Sequence, residues 1–140
     1  MKSNTDIRQG HILSDILSLK TADMYWLKRH IDLTESEYKL FVVDKSDKHI
    51  DFFNSYAVAV DNNEIIPCWS LSALLDILES EIYCEEGETY KLNIEKDGTW
   101  WSVCYKEQYD EANPIETEST EDLVDACYEM ILKLHKQKLL

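Results

Sequence analysis

The sequence predicts an α+β domain: an antiparallel sheet of about four to five strands with helices packed on one face. Three observations carry this. Runs rich in β-branched and aromatic residues follow one another without a helix between each pair, so the order is not that of βαβ units. Two strictly alternating runs, residues 90–95 and 101–105, flank an Asp97-Gly98 pair suited to a two-residue hairpin turn. Two further segments, near residues 71–78 and 123–134, carry apolar stripes at helical spacing.

Taken in order, Ile12, Leu13, Ile16, Leu17 and Leu19 predict a short amphipathic helix beginning near Gln9. Residues 21–26 read either as a second helical turn capped by Thr21 or as extended chain. Residues 38–44 read as a strand from their β-branched and aromatic content, followed by a polar turn over residues 45–48. Residues 52–60 read as a second strand, because Tyr56, Val58 and Val60 alternate with Ala57 and Ala59. Residues 61–64 make a turn, since Asn tolerates positive φ. A short return strand over residues 64–68 must sit at an edge or end at Pro67, which has no N–H to donate.

The stretch that follows, Cys68-Trp69-Ser70-Leu71, raises the question of a reactive site. It is better accounted for as a helix start. Ser70 is suited to an N-cap. Trp69 and Leu74 stand in the positions of a hydrophobic staple, and Leu71, Leu74, Leu75 and Leu78 share one face.

In the hairpin, a turn at Asp97-Gly98 pairs Lys96 with Thr99, Glu95 with Trp100, Ile94 with Trp101, Leu92 with Val103 and Tyr90 with Tyr105. Its apolar face is then Tyr90, Leu92, Ile94, Trp101, Val103 and Tyr105; a one-residue slip would mix polar residues into it. Trp100 falls on the polar face. Residues 108–118 read as an acidic loop. A last helix is expected from about Thr120 to Lys136, capped by Ser119 or Thr120, with Leu123, Cys127, Met130, Ile131 and Leu134 as its buried stripe. Acids at its start and Lys133, Lys136 and Lys138 at its end suit the helix dipole.

A chain of 140 residues fits one domain, here expected over 1–140. The net charge of -14 is unevenly spread. Residues 1–50 hold eight basic and eight acidic side chains, whereas residues 51–130 hold twenty acids against Lys91, Lys96 and Lys106. Such a surface repels nucleic acid and anionic membrane and favours a basic protein partner. No apolar run approaches the ~18 residues of a membrane helix, and residues 1–6 lack the apolar stretch of a secretory signal. A cytoplasmic location is expected. Cys68, Cys84, Cys104 and Cys127 are far apart, and three lie in apolar periodic segments, so four free and mostly buried thiols are expected.

The residues point to no catalytic centre. His11, His30, His49 and His135 do not adjoin a cysteine, and no elbow motif surrounds a serine. Paired C-x-x-C or H-x-x-x-H ligands do not occur. Asp44, Asp47, His49 and Asp51 cluster only loosely, and Asp110 and Glu111 adjoin without an EF-hand pattern. Gly10, Gly87 and Gly98 are too scattered for a phosphate loop. No cofactor, metal or catalytic residue is therefore assigned. The candidate partner-binding residues are Glu79, Glu81, Glu85, Glu86, Glu88, Trp100, Asp110 and Glu111: an acidic surface with one aromatic anchor. A solvated surface and a covered tryptophan are the competing readings.

The elements Thr21-Ala22-Asp23-Met24, Trp69-Ser70-Leu71-Ser72-Ala73-Leu74-Leu75 and residues 125–135 (DACYEMILKLH), with the aromatic hairpin between them, resemble a group of small proteins encoded by phages and prophages of gut bacteria. The group has no established activity, so no site carries over. The resemblance implies an accessory protein of a mobile element. Together these observations predict a non-enzymatic protein that binds a basic protein partner through an acidic surface. The alternatives are an inhibitor that mimics nucleic acid, a small enzyme or ligand-binding domain whose pocket the sequence does not expose, and a self-associating module.

Overall fold

Asp6 starts the first helix with a reciprocal cap: its carboxylate accepts the Gln9 amide at 2.8 Å, and the Gln9 side chain accepts the Asp6 amide at 3.0 Å. This detail belongs to a computed structural model that describes residues 1–45, 51–84, 87–107 and 114–140. It has the α+β class, and among the described residues the strands form two antiparallel sheets, of three and four strands, rather than one. The chain divides into two units, residues 4–73 and residues 74–140 with residues 1–3.

In the first unit, helix α1 runs Ile7–Ser14, so it starts before Gln9 and stops short of Ile16. A 3-10 turn, Leu19–Thr21, leads into strand β1, Met24–His30, which settles the open choice for residues 21–26 in favour of extended chain. Strand β2 is Ser36–Val42, paired antiparallel to β1 with Met24 opposite Val42 and His30 opposite Ser36.

The expected strand over residues 52–60 is a correction: two short helices stand there, α2 at Phe52–Ser55 and α3 at Ala57–Asp61. Asp51 caps α2 by accepting the Asn54 amide at 3.3 Å. The alternating residues that suggested a strand do not face a core. Val58 is 74% exposed and Tyr56 is exposed, while Phe53 is buried. Ala57 and Ala59 are strong helix formers, and α3 closes with a Schellman motif. The Glu64 amide bonds Ala59 O at 2.8 Å and the Asn63 amide bonds Val60 O at 3.1 Å, with Asn63 at φ 60. The turn read at residues 61–64 is therefore a helix C-cap.

Strand β3, Ile65–Cys68, pairs with β1 and forms one edge of the order β2-β1-β3, the position that Pro67 demands. Helix α1 packs on β3 so closely that a Cβ on Gly10 would lie 2.4 Å from the Pro67 carbonyl oxygen. Helix α4, Leu71–Ile77, begins where Ser70 Oγ accepts the Ala73 amide at 3.1 Å, as the cap reading requires. Trp69 and Leu74 are both fully buried, and the indole N–H of Trp69 donates to Thr21 Oγ1 at 2.9 Å.

The second unit holds strands β4 (Glu81–Tyr83), β5 (Thr89–Asp97), β6 (Trp100–Glu107) and β7 (Ile115–Glu116), in that spatial order. The β5–β6 hairpin forms with the predicted apolar face but not the predicted register. Ile94 faces Val103, Leu92 faces Tyr105, Tyr90 faces Glu107, Lys96 faces Trp101, and Asp97 faces Trp100. The turn is Gly98-Thr99, with Gly98 at φ 61 in the first central position, as a type II′ turn requires. Asp97 is the last residue of β5 and not a turn residue. Because the shift is by two residues, every side chain keeps its face.

Helix α5 spans Leu123–Lys136 and packs on β6. Its cap position is Asp122, a correction to Ser119 or Thr120. Thr120 is instead tied to Trp101 by two backbone bonds, the Trp101 amide to Thr120 O and the Thr120 amide to Trp101 O. Asp122 makes no side-chain cap; its carboxylate accepts the Lys2 amide, and Lys2 Nζ pairs with Asp125 at 2.8 Å. Leu123, Cys127, Met130, Ile131 and Leu134 are all buried, as their spacing predicts.

Candidate interaction surface

The reactive-looking stretch at residues 66–70 is occupied by structure. The Thr5 amide donates to Trp69 O at 2.9 Å, the Trp69 amide donates to Thr5 Oγ1 at 3.0 Å, and the Cys68 thiol donates to Thr5 O at 3.3 Å. Burial pushes the Cys68 thiol above its ordinary value, and nearby Asp23 adds to the rise. Burial also raises the thiols of Cys104 and of Cys127, the latter to about 12. All four cysteines are free, with Cys68, Cys104 and Cys127 buried and Cys84 partly so. The three buried thiols stay protonated at neutral pH, the wrong state for a nucleophile. His11, His30 and His135 are exposed.

Among the described residues no cluster of His, Cys, Asp and Glu is arranged to hold a metal ion. Of the loose group seen in the sequence, Asp51 serves as the α2 cap, while Asp47 and His49 lie outside the described residues.

One open groove of about 310 Å³ lies in the first unit, where His11, Ser14, Asp15 and Asp61 meet Ile66 and Pro67. Another, of about 480 Å³, lies in the second unit along α5, lined by Glu116, Glu118, Glu129, Lys133 and Lys136 among others. Lys133 Nζ already donates to the Glu116 carbonyl there.

The most distinctive surface is the more open face of the four-stranded sheet, which displays side chains at its ends and margins while Cys104 near its middle is buried. Strand pairing places Glu81, Lys91 and Lys106 in one cross-strand row, and Asn93, Cys104 and Glu116 in another. Tyr83 sits beside Thr89, Glu95 beside Ser102, and Asp97 beside Trp100. Tyr83 is 72% exposed and Trp100 is 49% exposed. The charges interlock: Lys106 pairs with Glu95 at 2.8 Å, and Lys91 approaches Glu81 at 3.9 Å. The Tyr83 hydroxyl donates to Glu81 at 2.6 Å, and that carboxylate holds the phenol above its ordinary value.

Of the predicted residues, Glu79, Glu81 and Glu88 gather at and around β4. Glu79 gives its carbonyl to the Tyr105 hydroxyl at 2.6 Å, and Glu88 accepts the Tyr90 hydroxyl at 3.1 Å. Trp100 stands apart, at the hairpin end. It faces Asp97 rather than Glu95, six residues along β5 from the row of Glu81, a separation of roughly 20 Å at strand rise. Glu85, Glu86, Asp110 and Glu111 lie outside the described residues.

Tyr83 escaped the sequence reading because its strand is only three residues long. Its signal was the alternation Glu81-Ile82-Tyr83 just before the Gly87 turn, with Ile82 buried and its neighbours not. Among the described residues no helix is long and apolar enough to cross a membrane. Compared with protein-family models, with curated proteins and with solved structures, the chain matches none.

Proposed function

We propose that the chain is a non-enzymatic binding protein whose second unit docks a basic protein partner on the open face of its four-stranded sheet. The observation that carries this is the pairing of charge with display. The unit formed by residues 1–3 and 74–140 contains seventeen acidic residues against seven lysines. Its open face presents Tyr83 and Trp100 beside Glu81, Glu95, Asp97 and Glu116. Aromatic residues with an apolar body and a polar edge are the residues that anchor protein interfaces. The surrounding negative field raises the rate of encounter with a basic surface.

Lys91 and Lys106 hold Glu81 and Glu95 in pairs that a partner's arginine or lysine can exchange into. The field steers the partner and the aromatic residues hold it. The resemblance to phage- and prophage-encoded proteins fits an accessory role of this kind, directed at a host or phage protein. The test is capture from a bacterial lysate on immobilised chain at about 0.05 M and about 0.5 M salt, concentrations that bracket strong and weak screening. A basic protein retained at low salt and released at high salt is the expected result. Retention of no basic protein at either salt overturns the reading.

A further inference from the structure

Strand β2 is an edge of the three-stranded sheet, and among the described residues no strand pairs with its outer side. The direction of its backbone groups follows from two bonds. The Val43 amide donates to Asp23 O at 2.9 Å and the Ile31 amide to Glu35 O at 3.0 Å, both in line with the β1–β2 register. Bonded and non-bonded pairs alternate in an antiparallel ladder. The odd-numbered residues of β2 therefore turn their N–H and C=O toward β1. Ser36, Tyr38, Leu40 and Val42 turn theirs to the free edge. The Lys28 amide on β1 agrees in parity, since it points to the other side and donates to Glu64 O at 2.8 Å.

A free edge invites pairing, and a lysine on it is the usual guard. Lys39 is that guard, exposed and without an ion pair among the described residues. Glu37 is exposed and also has no ion pair among the described residues, although it stands opposite Arg29. In an antiparallel pairing of two β2 strands centred on Lys39, the guard works, because the lysine meets its own copy. Centred on Tyr38, each Lys39 faces Glu37 of the second copy, Ser36 faces Leu40, and the two Tyr38 residues face each other. Tyr38, Ser36 and Leu40 all direct their backbone groups outward, so this register also makes every facing pair among them a hydrogen-bonded one. The Lys39-centred register pairs outward groups with outward groups as well, so backbone direction admits both alignments and charge selects the one centred on Tyr38.

We propose that two copies of the chain associate through β2, antiparallel about a two-fold axis at Tyr38, to give a continuous six-stranded sheet. Cross-strand charge pairs set the register and the backbone bonds supply the contact.

The test is sedimentation equilibrium of the full chain from low micromolar to near-millimolar concentration. The expected mass rises toward twice 16.4 kDa. Leu40→Pro removes an outward N–H while sparing the β1 ladder, so it is expected to leave a folded monomer. Lys39→Glu is expected to weaken association by roughly tenfold, and Glu37→Lys combined with Lys39→Glu to restore it. If Leu40→Pro does not fold, the two charge variants decide alone. A wild-type chain that stays monomeric at the highest concentration overturns the proposal. So does a dimer indifferent to Lys39→Glu, or a double variant that fails to recover.

Discussion

The carboxylate of Asp23 holds Ser70 twice: one oxygen accepts the Ser70 amide at 2.8 Å and the other accepts its hydroxyl. The same hydroxyl oxygen accepts the Ala73 amide at 3.1 Å. The serine therefore works in two directions, capping α4 and anchoring the helix start to the residue just before β1. With its hydroxyl committed to Asp23 and its oxygen to Ala73, Ser70 is accounted for as a structural junction.

Ser70→Ala removes the cap and leaves the Asp23 carboxylate short of a donor. A lost cap alone costs about 1 kcal/mol, and a stranded, part-buried acceptor adds roughly 1 kcal/mol. Urea denaturation is expected to show a lower midpoint with an unchanged slope. Partner binding through the other unit is expected to persist. Loss of binding at unchanged stability would return residues 68–70 to candidacy as a reactive site.

Gly10→Ala tests the seating of α1 on β3. The added Cβ meets the Pro67 carbonyl oxygen at 2.4 Å and the Ile66 Cγ2 at 3.2 Å. The first obstacle is backbone and has no rotamer to change. The usual gain from replacing a helical glycine is expected to reverse into a loss of about 2 kcal/mol, within the range of overpacking. A thermal melt decides; a variant as stable as the parent would show that α1 sits further from β3.

The buried thiols set an alkaline limit. The Cys127 thiol ionises near 9.0 when exposed and is pushed up to about 12 by burial in the fold. The folded state thus keeps a proton that the unfolded state has released. Stability from this group is full below pH 9.0 and is lost as pH climbs from there toward 12. Cys68 and Cys104 act in the same direction. Cys127→Ala is less stable at neutral pH because it leaves a cavity, but its stability is expected to fall less steeply across the alkaline window. Parallel decay of the two proteins in denaturation at successive pH values would contradict the assignment.

Reactivity follows the same burial. In the native protein, a chromogenic disulfide reagent is expected to react promptly at Cys84 and slowly at Cys68, Cys104 and Cys127. Prompt reaction at Cys68 would contradict the hydrogen-bonded, protonated thiol described above.

The hairpin shows why parts of this fold were legible. Alternation fixes which residues share a face, and Tyr90, Leu92, Val103 and Tyr105 kept theirs. Alternation cannot separate registers that differ by two, and both Asp97-Gly98 and Gly98-Thr99 satisfy a turn with glycine at positive φ. Residues 52–60 misled for a related reason. Their alternation of large and small residues is also compatible with two short helices once Asp51 caps the first and Asn63 ends the second. Residues 24–30 place apolar side chains on both sheet faces, Tyr25 and Leu27 on one and Trp26 on the other, so they show no strand period. Strands β4 and β7 have three and two residues, too few for any period.

The acidity of the candidate surface was legible residue by residue. Its arrangement was not, because only the pairing of β4, β5 and β6 reveals that Lys91 and Lys106 stand in the row of Glu81 and that Tyr83 joins the open face.

The central claim is that this face binds a basic partner. It is tested most directly by lysate capture on the parent chain beside a Tyr83→Ser, Trp100→Ser variant, both at low salt. Both substitutions lie on exposed side chains, so the variant is expected to melt as the parent does. The basic protein held by the parent is expected to be lost or strongly depleted on the variant. Equal retention by a correctly folded variant would contradict it.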